Sequence, residues 1–395
     1  MLQFSTAGES HGPALIALLS GLPAGLPVDF EFVQRELLRR QLGFGRGARQ
    51  RIERDTAEFL GGVYHGKTIG APVAVRIENR DWSNWQMALP VEATPANDAQ
   101  KRPLTAPRPG HADLAGALKF NFHDARFVLE RASARETAAR VAAGALAKLL
   151  LREFGVEVLS HVVQIGAARL GREGLSRATE WSAIQSVCDN LESPLRCIEP
   201  NTEQAMKAEI EQALRAGNSV GGVFEVVAHH VPPGLGSHAQ WNEKLDGMLA
   251  QAIMSIQSIK AVEIGSGFNG ASQHGSAVQD EIQYDRERRR FTRSSNRAGG
   301  VEGGISNGED VVVCGYMKPI STLRTPLESA DLGSKEAVRA AYERSDVCVV
   351  PAGGIIGESM VALVLAGAFL VKFGGDSLAE TRRNFEGYQR QLDQF

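Results

Sequence analysis

The stretch GESHG, Gly8 to Gly12, sets a histidine beside a serine. It fits G-x-S-x-G, the sharp turn that presents the nucleophile of serine hydrolases. That turn follows a central strand and needs an oxyanion loop and further strands ahead of it. Only nine residues precede Ser10, so the scaffold has no room. His11, at the end of the strand-like MLQFSTAG, is then the residue with chemistry to offer, as a proton donor or acceptor.

Five other stretches carry groups of the right kind. RRQLGFGRGARQR, Arg39 to Arg51, interleaves arginines with Gly43, Gly45 and Gly47. Glycines let backbone amides approach an anion closely, so the segment reads as a site for a small polyanion or as a solvated basic face. RPGHADLAG, Arg108 to Gly116, stiffens the backbone just before His111, as general acid-base work requires. The plain alternative there is a turn with an incidental histidine. ERASARET, Glu130 to Thr137, brings Arg131 and Arg135 to a helix start that Ser133 caps. Free amides and the helix dipole make such an end an anion site; otherwise Ser133 simply caps. SSNRAGGVEGGISNG, Ser294 to Gly308, can wrap a flat or phosphorylated ligand but does not match a Rossmann fingerprint. In YERSDVCVVPAGGIIGES, Tyr342 to Ser359, Arg344 and Asp346 leave a helix and enter a short apolar strand. They are a plain ion pair or a base held by a cation.

The elements that must position these groups follow from periodicity. Spacing predicts helices over 31–42, with Asp29 as cap, and over 134–154, with Ser133 and Glu136 as a capping box and Gly155 as the stop. Further helices are expected over 242–259 and 335–344, and the apolar run 360–371 reads as a buried helix, being too short for a bilayer. Strands are expected over 70–77, 156–165, 222–231, 261–265 and 311–316. The Pro/Ala-rich stretch 90–110 reads as a long ordered loop. The irregular order favours an α+β fold with helices packed on mostly antiparallel sheets. A faint likeness between 156–170 and 222–236 suggests an internal duplication.

Composition narrows the function classes. The chain has 395 residues, 43% of them apolar, with a net charge of −3. That excludes a disordered chain and argues against a nucleic-acid partner, which usually meets a basic domain. The 33 arginines against 10 lysines suit bidentate binding of carboxylate and phosphate. Cys188, Cys197, Cys314 and Cys348 show no C-x-x-C spacing, so no metal is expected and free thiols in a reducing compartment are. With no basic residue before Arg35 and no long apolar run, a soluble cytoplasmic protein is expected.

Together GESHGPALIALLSGLP, GFGRGARQ, RPGHADL, LERASARETAARVAAGA and RSDVCVVPAGGIIGES, in this order, resemble the chorismate synthase family. The resemblance runs from Ser5 to about Gly374. It implies a single β-α-β sandwich-like domain over residues 1–395, typically a homotetramer. It implies a 1,4-elimination of anti geometry, turning 5-enolpyruvylshikimate 3-phosphate into chorismate in aromatic amino acid biosynthesis. The family requires reduced FMN without net redox change. By the resemblance His11 protonates the departing phosphate, His111 stabilises the anionic flavin, Asp346 is the base acting through the flavin, and Ser10 and Ser133 orient the relay. Arg40, Arg46, Arg49, Arg108 and Arg135 would neutralise the substrate. FMN contacts map to Arg131, Ala132, Ser133, Gln257, Ser258, Gly303, Lys318, Pro319, Ile320, Ser321, Thr322 and Arg344. Many members carry Pro-Ala where this chain has Gln257-Ser258. NADPH enters only as a flavin reductant. With no extra domain for that step, an external flavin reductase is the expected partner. The alternatives of other classes are a non-catalytic binder of a phosphorylated metabolite and the disfavoured serine hydrolase.

Overall fold

A computed structural model describes residues 2–47, 54–93, 102–171, 177–287, 289–343 and 345–395. Two antiparallel sheets enclose a double layer of helices. The first sheet runs Gln3–Ala7, Ala14–Ser20, Val73–Glu78, Ala57–Gly61 across its width. The second runs Ile259–Ile264, Val311–Met317, Gly222–His229, Glu157–Ile165, Ala168–Arg169. Helix Thr137–Arg152 packs on the first sheet and helix Val350–Phe373 on the second, and these two inner helices pack on each other. Helix Phe30–Gln41 completes the inner layer. One apolar core takes residues from both sheets and all three helices. The expected α+β sandwich with antiparallel sheets is therefore observed. The two stretches whose likeness suggests duplication supply neighbouring strands of the second sheet.

Local sequence explains the main elements. The Asp29 carboxylate accepts from Phe32 N and caps its helix. Ser133 accepts from Arg135 N and opens a short 3-10 turn that continues into Thr137–Arg152. Glu136 does not complete the capping box; its carboxylate binds Thr6, Arg140 and Gln257 instead. Gly155, at φ +78°, then turns the chain away. The inner helices approach closely because Gly144 faces Ser359, where an added Cβ would lie 2.3 Å from the serine Cβ.

Three expectations need correction. The run 360–371 is part of a helix of 24 residues, Val350–Phe373. Its length and composition would suit a membrane span, yet 72% of its most apolar stretch is buried inside the protein. Residues 335–344 form no helix. Ala337–Arg339 pairs with Glu328–Ala330 in a hairpin, because Asp331 caps the turn amides of Gly333 and Ser334 and Lys335 takes φ +66°. Turn chemistry there overrides helical periodicity. Asp346 accordingly follows no helix and precedes no strand. The helix expected over 242–259 ends at Met254, and strand Ile259–Ile264 begins after a left-handed Ser258. The described parts of the 90–110 stretch hold no helix or strand.

Inside the core lies an ionic cluster. Arg39 donates to Glu36 and bidentately to Glu358, at 2.7–2.9 Å. Lys148 donates to both carboxylates, and Ser160 donates to Glu358. Burial alone would raise both carboxyls, but the charges of Arg39 and Lys148 outweigh it and hold them below the ordinary 4.5. Glu358→Ala should leave Arg39 and Lys148 to share the single carboxylate of Glu36 and cost about 3–5 kcal/mol in urea denaturation; a change within about 0.5 kcal/mol, the range of surface substitutions, contradicts this. Because the folded values are depressed, the clustered carboxylates contribute fully above pH 4.5 and lose that contribution as pH falls further. Wild-type stability should therefore drop more steeply below pH 4.5 than that of Glu358→Gln, which has one carboxylate fewer to protonate.

Candidate active site

A cavity of about 510 Å³ opens at one end of the helical layer. The turn between the first two strands brings Ser10 and His11 to it. The junction 129–135 brings Ser133 and Arg135, and the segment after strand Val311–Met317 brings Lys318, Ile320, Ser321 and Thr322. The N-terminal turns of both inner helices abut it through Thr137 and Ala352, so their dipoles favour an anion there.

The two histidines are held by one device. His11 Nδ1 lies 2.9 Å from Glu130 Oε1, and its backbone amide donates to Oε2 of the same carboxylate. Its ring stacks on Trp85 with centroids 4.0 Å apart. His111 Nδ1 lies 2.5 Å from Asp113 Oδ1. A carboxylate accepts, so each Nδ1 carries the proton and each Nε2 is the nitrogen left for a ligand. Asp113 is fully buried and also accepts from the Arg108 amide and guanidinium. Burial would raise its carboxyl, but His111 and Arg108 together hold it well below the usual range. Ser133 Oγ donates to Ser10 Oγ at 3.0 Å, linking two of the predicted relay groups.

Among the described residues, two of the cations share one carboxylate. Asp55 accepts from Arg40 at 2.6 Å and from Arg135 at 2.5 Å, so one carboxylate serves two guanidiniums. Both arginines are buried. Burial lowers the Arg40 guanidinium below its ordinary value, and the neighbouring Arg135 works in the same direction against Asp55. Arg46 pairs with Asp346 at 2.9 Å, and Gly47 N donates to the other oxygen of that carboxylate. Arg108 reaches Thr322. Lys318 bonds Gly110 O and Ser321, and burial with Lys260 nearby lowers its ammonium. Arg40 Nε, Arg46 Nε and Gln257 Oε1 are buried with no hydrogen-bond partner. All three residues line the cavity.

Most residues expected at the site are thus brought together: Ser10, His11, Arg40, Arg46, Arg108, His111, Ala132, Ser133, Arg135, Gln257, Ser258, Lys318, Ile320, Ser321, Thr322 and Asp346 line one cavity. Others are not. Pro319 is not part of this lining. Arg131 points away, donating to Thr6 and Gly8 carbonyls, and lines a separate cavity with Glu136 and Arg140. Gly303 sits in the turn between Val301–Glu302 and Ile305–Ser306, where its carbonyl accepts from Lys244. Arg49 and Arg344 lie outside the described residues. Glu130, Asp113, Asp55 and Trp85 were not singled out by sequence. Glu130 and Asp113 stand inside motifs already chosen, whereas Asp55 and Trp85 carry no local signal.

The comparisons with known proteins agree with this architecture. The family model described as chorismate synthase matches residues 2–370. The chorismate synthase of Koribacter versatilis is 59% identical, with all of both chains covered. That of Geobacter sulfurreducens is 52% identical over 100% of each chain, and that of Aquifex aeolicus 49% over 100% and 99%. A crystal structure of chorismate synthase superposes with a TM-score of 0.79 at 41% identity, covering 100% of this chain and 99% of the other. Fold and comparisons together define a lyase whose cavity is lined by arginines and histidines. The chain belongs to the chorismate synthase family.

Glu130→Gln preserves the size of the side chain that orients His11 but removes its charge. In a chorismate synthase assay it should lower kcat by about ten-fold or more, within the range for a misplaced general acid, with KM nearly unchanged. A kcat equal to wild type would mean that Glu130 does not position His11.

Proposed function

We propose that the chain converts 5-enolpyruvylshikimate 3-phosphate to chorismate by an anti-1,4-elimination that requires reduced FMN and has no net redox change. One observation carries this reading. Two histidines, each with Nδ1 fixed on a buried carboxylate, face a cavity in which Asp55 serves both Arg40 and Arg135.

The substrate carries two carboxylates and a phosphate. Arg40, Arg46, Arg108 and Arg135 neutralise them by charge-assisted hydrogen bonds worth about 1.5–3 kcal/mol each. Arg49 joins them in this reading. To act as the acid, His11 starts as the imidazolium, with Glu130 on Nδ1 balancing its charge; it donates the Nε2 proton to the departing phosphate, becomes neutral, and is reprotonated from solvent. Asp346, fixed by Arg46 and Gly47, accepts the proton lost from C6. Ser10 and Ser133 keep the relay groups oriented.

The residues present also fit FMN. Leu129, Ile256 and Met317 offer apolar wall for a flat ring, Lys318, Ser321 and Thr322 offer donors for a phosphate, and Gln257 Oε1 offers a partnerless acceptor. These residues would hold it, with His111 balancing negative charge on it and backbone at Ala132, Ser258 and Ile320 closing the cradle; Pro319 would act only by fixing the chain between Lys318 and Ile320. Reduced FMN, when bound, supplies electron density that eases phosphate departure and is returned as the C6 hydrogen leaves. In this reading Arg131 and Gly303 would reach the cofactor from outside the cavity, and Arg344 joins them by the resemblance alone. The reading carries with it a single domain over 1–395, a cytoplasmic homotetramer and an external flavin reductase, with NADPH acting on the flavin alone.

The test is anaerobic. Purified protein, 5-enolpyruvylshikimate 3-phosphate and chemically reduced FMN should release phosphate and chorismate in equal amounts, and oxidised FMN should give neither. Failure with reduced FMN sinks the proposal. Oxidised FMN with NADPH should also give no product; turnover there would replace the external reductase by an intrinsic one. His11→Ala and His111→Ala should each lower kcat by about ten-fold or more with the fold intact by circular dichroism, and near-normal rates in both would overturn their roles. Asp346→Asn should keep FMN bound while slowing proton loss; loss of FMN binding would mean that Asp346 is structural.

A further inference from the structure

The outer face of the second sheet, turned away from the inner helices, holds a row of polar side chains that the elimination does not use. Antiparallel register sets His161 opposite Glu225, Glu225 opposite Cys314 and Cys314 opposite Glu263. Directly paired residues share a face. Ser160 looks the other way, into the core at Glu358. Above the row lies helix Arg177–Asp189, packed on strand Glu157–Ile165, and it brings Glu180 down to the same point. We propose that His161, Glu180 and Glu225 form a binding site for a first-row divalent transition-metal ion.

One donor atom from each of the three residues lies within 4.8 Å of the other two. Opposite donors on a metal at ~2.1 Å stand ~4.2 Å apart, so small rotamer changes close the set around an ion. His161 and Glu225 are buried, at 1% and 2% exposure, and His161 Nε2 is 3.0 Å from Glu225 Oε1. The independent observation is what these groups lack. His161 Nδ1 and Glu180 Oε1 are buried with no hydrogen-bond partner. Orphaned polar atoms at that depth are costly, and a ligand that takes lone pairs removes the cost. Imidazole nitrogen with carboxylate oxygens suits zinc, manganese, iron or cobalt. Cys314 Sγ, hydrogen-bonded to Glu225, stands beside the set.

Access and field agree. A cavity of about 590 Å³ reaches Glu180, Glu225 and Cys314 from the surface. Its wall carries Glu180, Glu225, Glu263 and Asp310 against Arg169 and Arg297, and Arg297 is itself paired with Asp280. An acidic funnel draws cations inward. No short motif announces the site, because its three donors come from two strands and a helix.

The experiment uses untagged, chelator-treated protein dialysed against micromolar Zn2+, with bound metal counted by mass spectrometry and Co2+ as an optical probe. Wild type should retain one Zn2+ per chain and show visible Co2+ absorption. Glu180→Gln, on the peripheral helix, should lose both at least ten-fold while keeping its fold and its turnover. His161→Gln should do the same where it folds; if it does not fold, Glu180→Gln decides alone. Less than a tenth of a metal per chain in wild type, or occupancy unchanged in Glu180→Gln, overturns the site.

Discussion

The buried cluster of Glu36, Arg39, Lys148 and Glu358 is the constraint on which the rest of the molecule depends. It joins all three inner helices, and through Ser160 it reaches the second sheet. Two cations and two anions in an apolar core are tolerable only while every charge is matched, so the helices cannot slide without exposing one. With the helices so locked, the starts of Thr137–Arg152 and Val350–Phe373 and the end of Phe30–Gln41 all meet at the same end of the sandwich, and the cavity forms there.

The cavity, like the core, is built on buried charges. In the core two carboxylates bond two cations directly. At the site Asp55 is shared by two arginines, and guanidinium nitrogens on Arg40 and Arg46 are left unpartnered. Such a pocket is suited to the phosphorylated dicarboxylate of the proposed reaction. Carboxylates behind His11 and His111 fix the orientation of both rings and leave each Nε2 for a ligand.

Much of this was legible in the sequence, for physical reasons that differ by element. His11, His111, Ser133 and Arg135 sit in short motifs whose turn and cap chemistry is local, and they line one cavity. Strong periodicity made Thr137–Arg152 readable, and alternation made the strands readable. Asp55 could not be found, because its importance comes from Arg40 and Arg135, which meet only in the fold. The helix expected over 335–344 failed because Asp331 and a left-handed Lys335 make a hairpin of a periodic stretch. The placement of Gly303 and Arg131 away from the cavity was likewise invisible, since a motif names a residue without saying which way it faces. His161, Glu180 and Glu225 are the extreme case, meeting only through strand register and a helix packed above it.

The most direct test of the account is a crystal structure of the protein with FMN and 5-enolpyruvylshikimate 3-phosphate bound together. The account predicts both ligands in the cavity walled by residues 129–135 and 317–322. It predicts substrate anions on Arg40, Arg46 and Arg135, and His11 Nε2 within hydrogen-bonding distance of the phosphate. Ligands seated elsewhere, or a phosphate out of reach of His11, would contradict it.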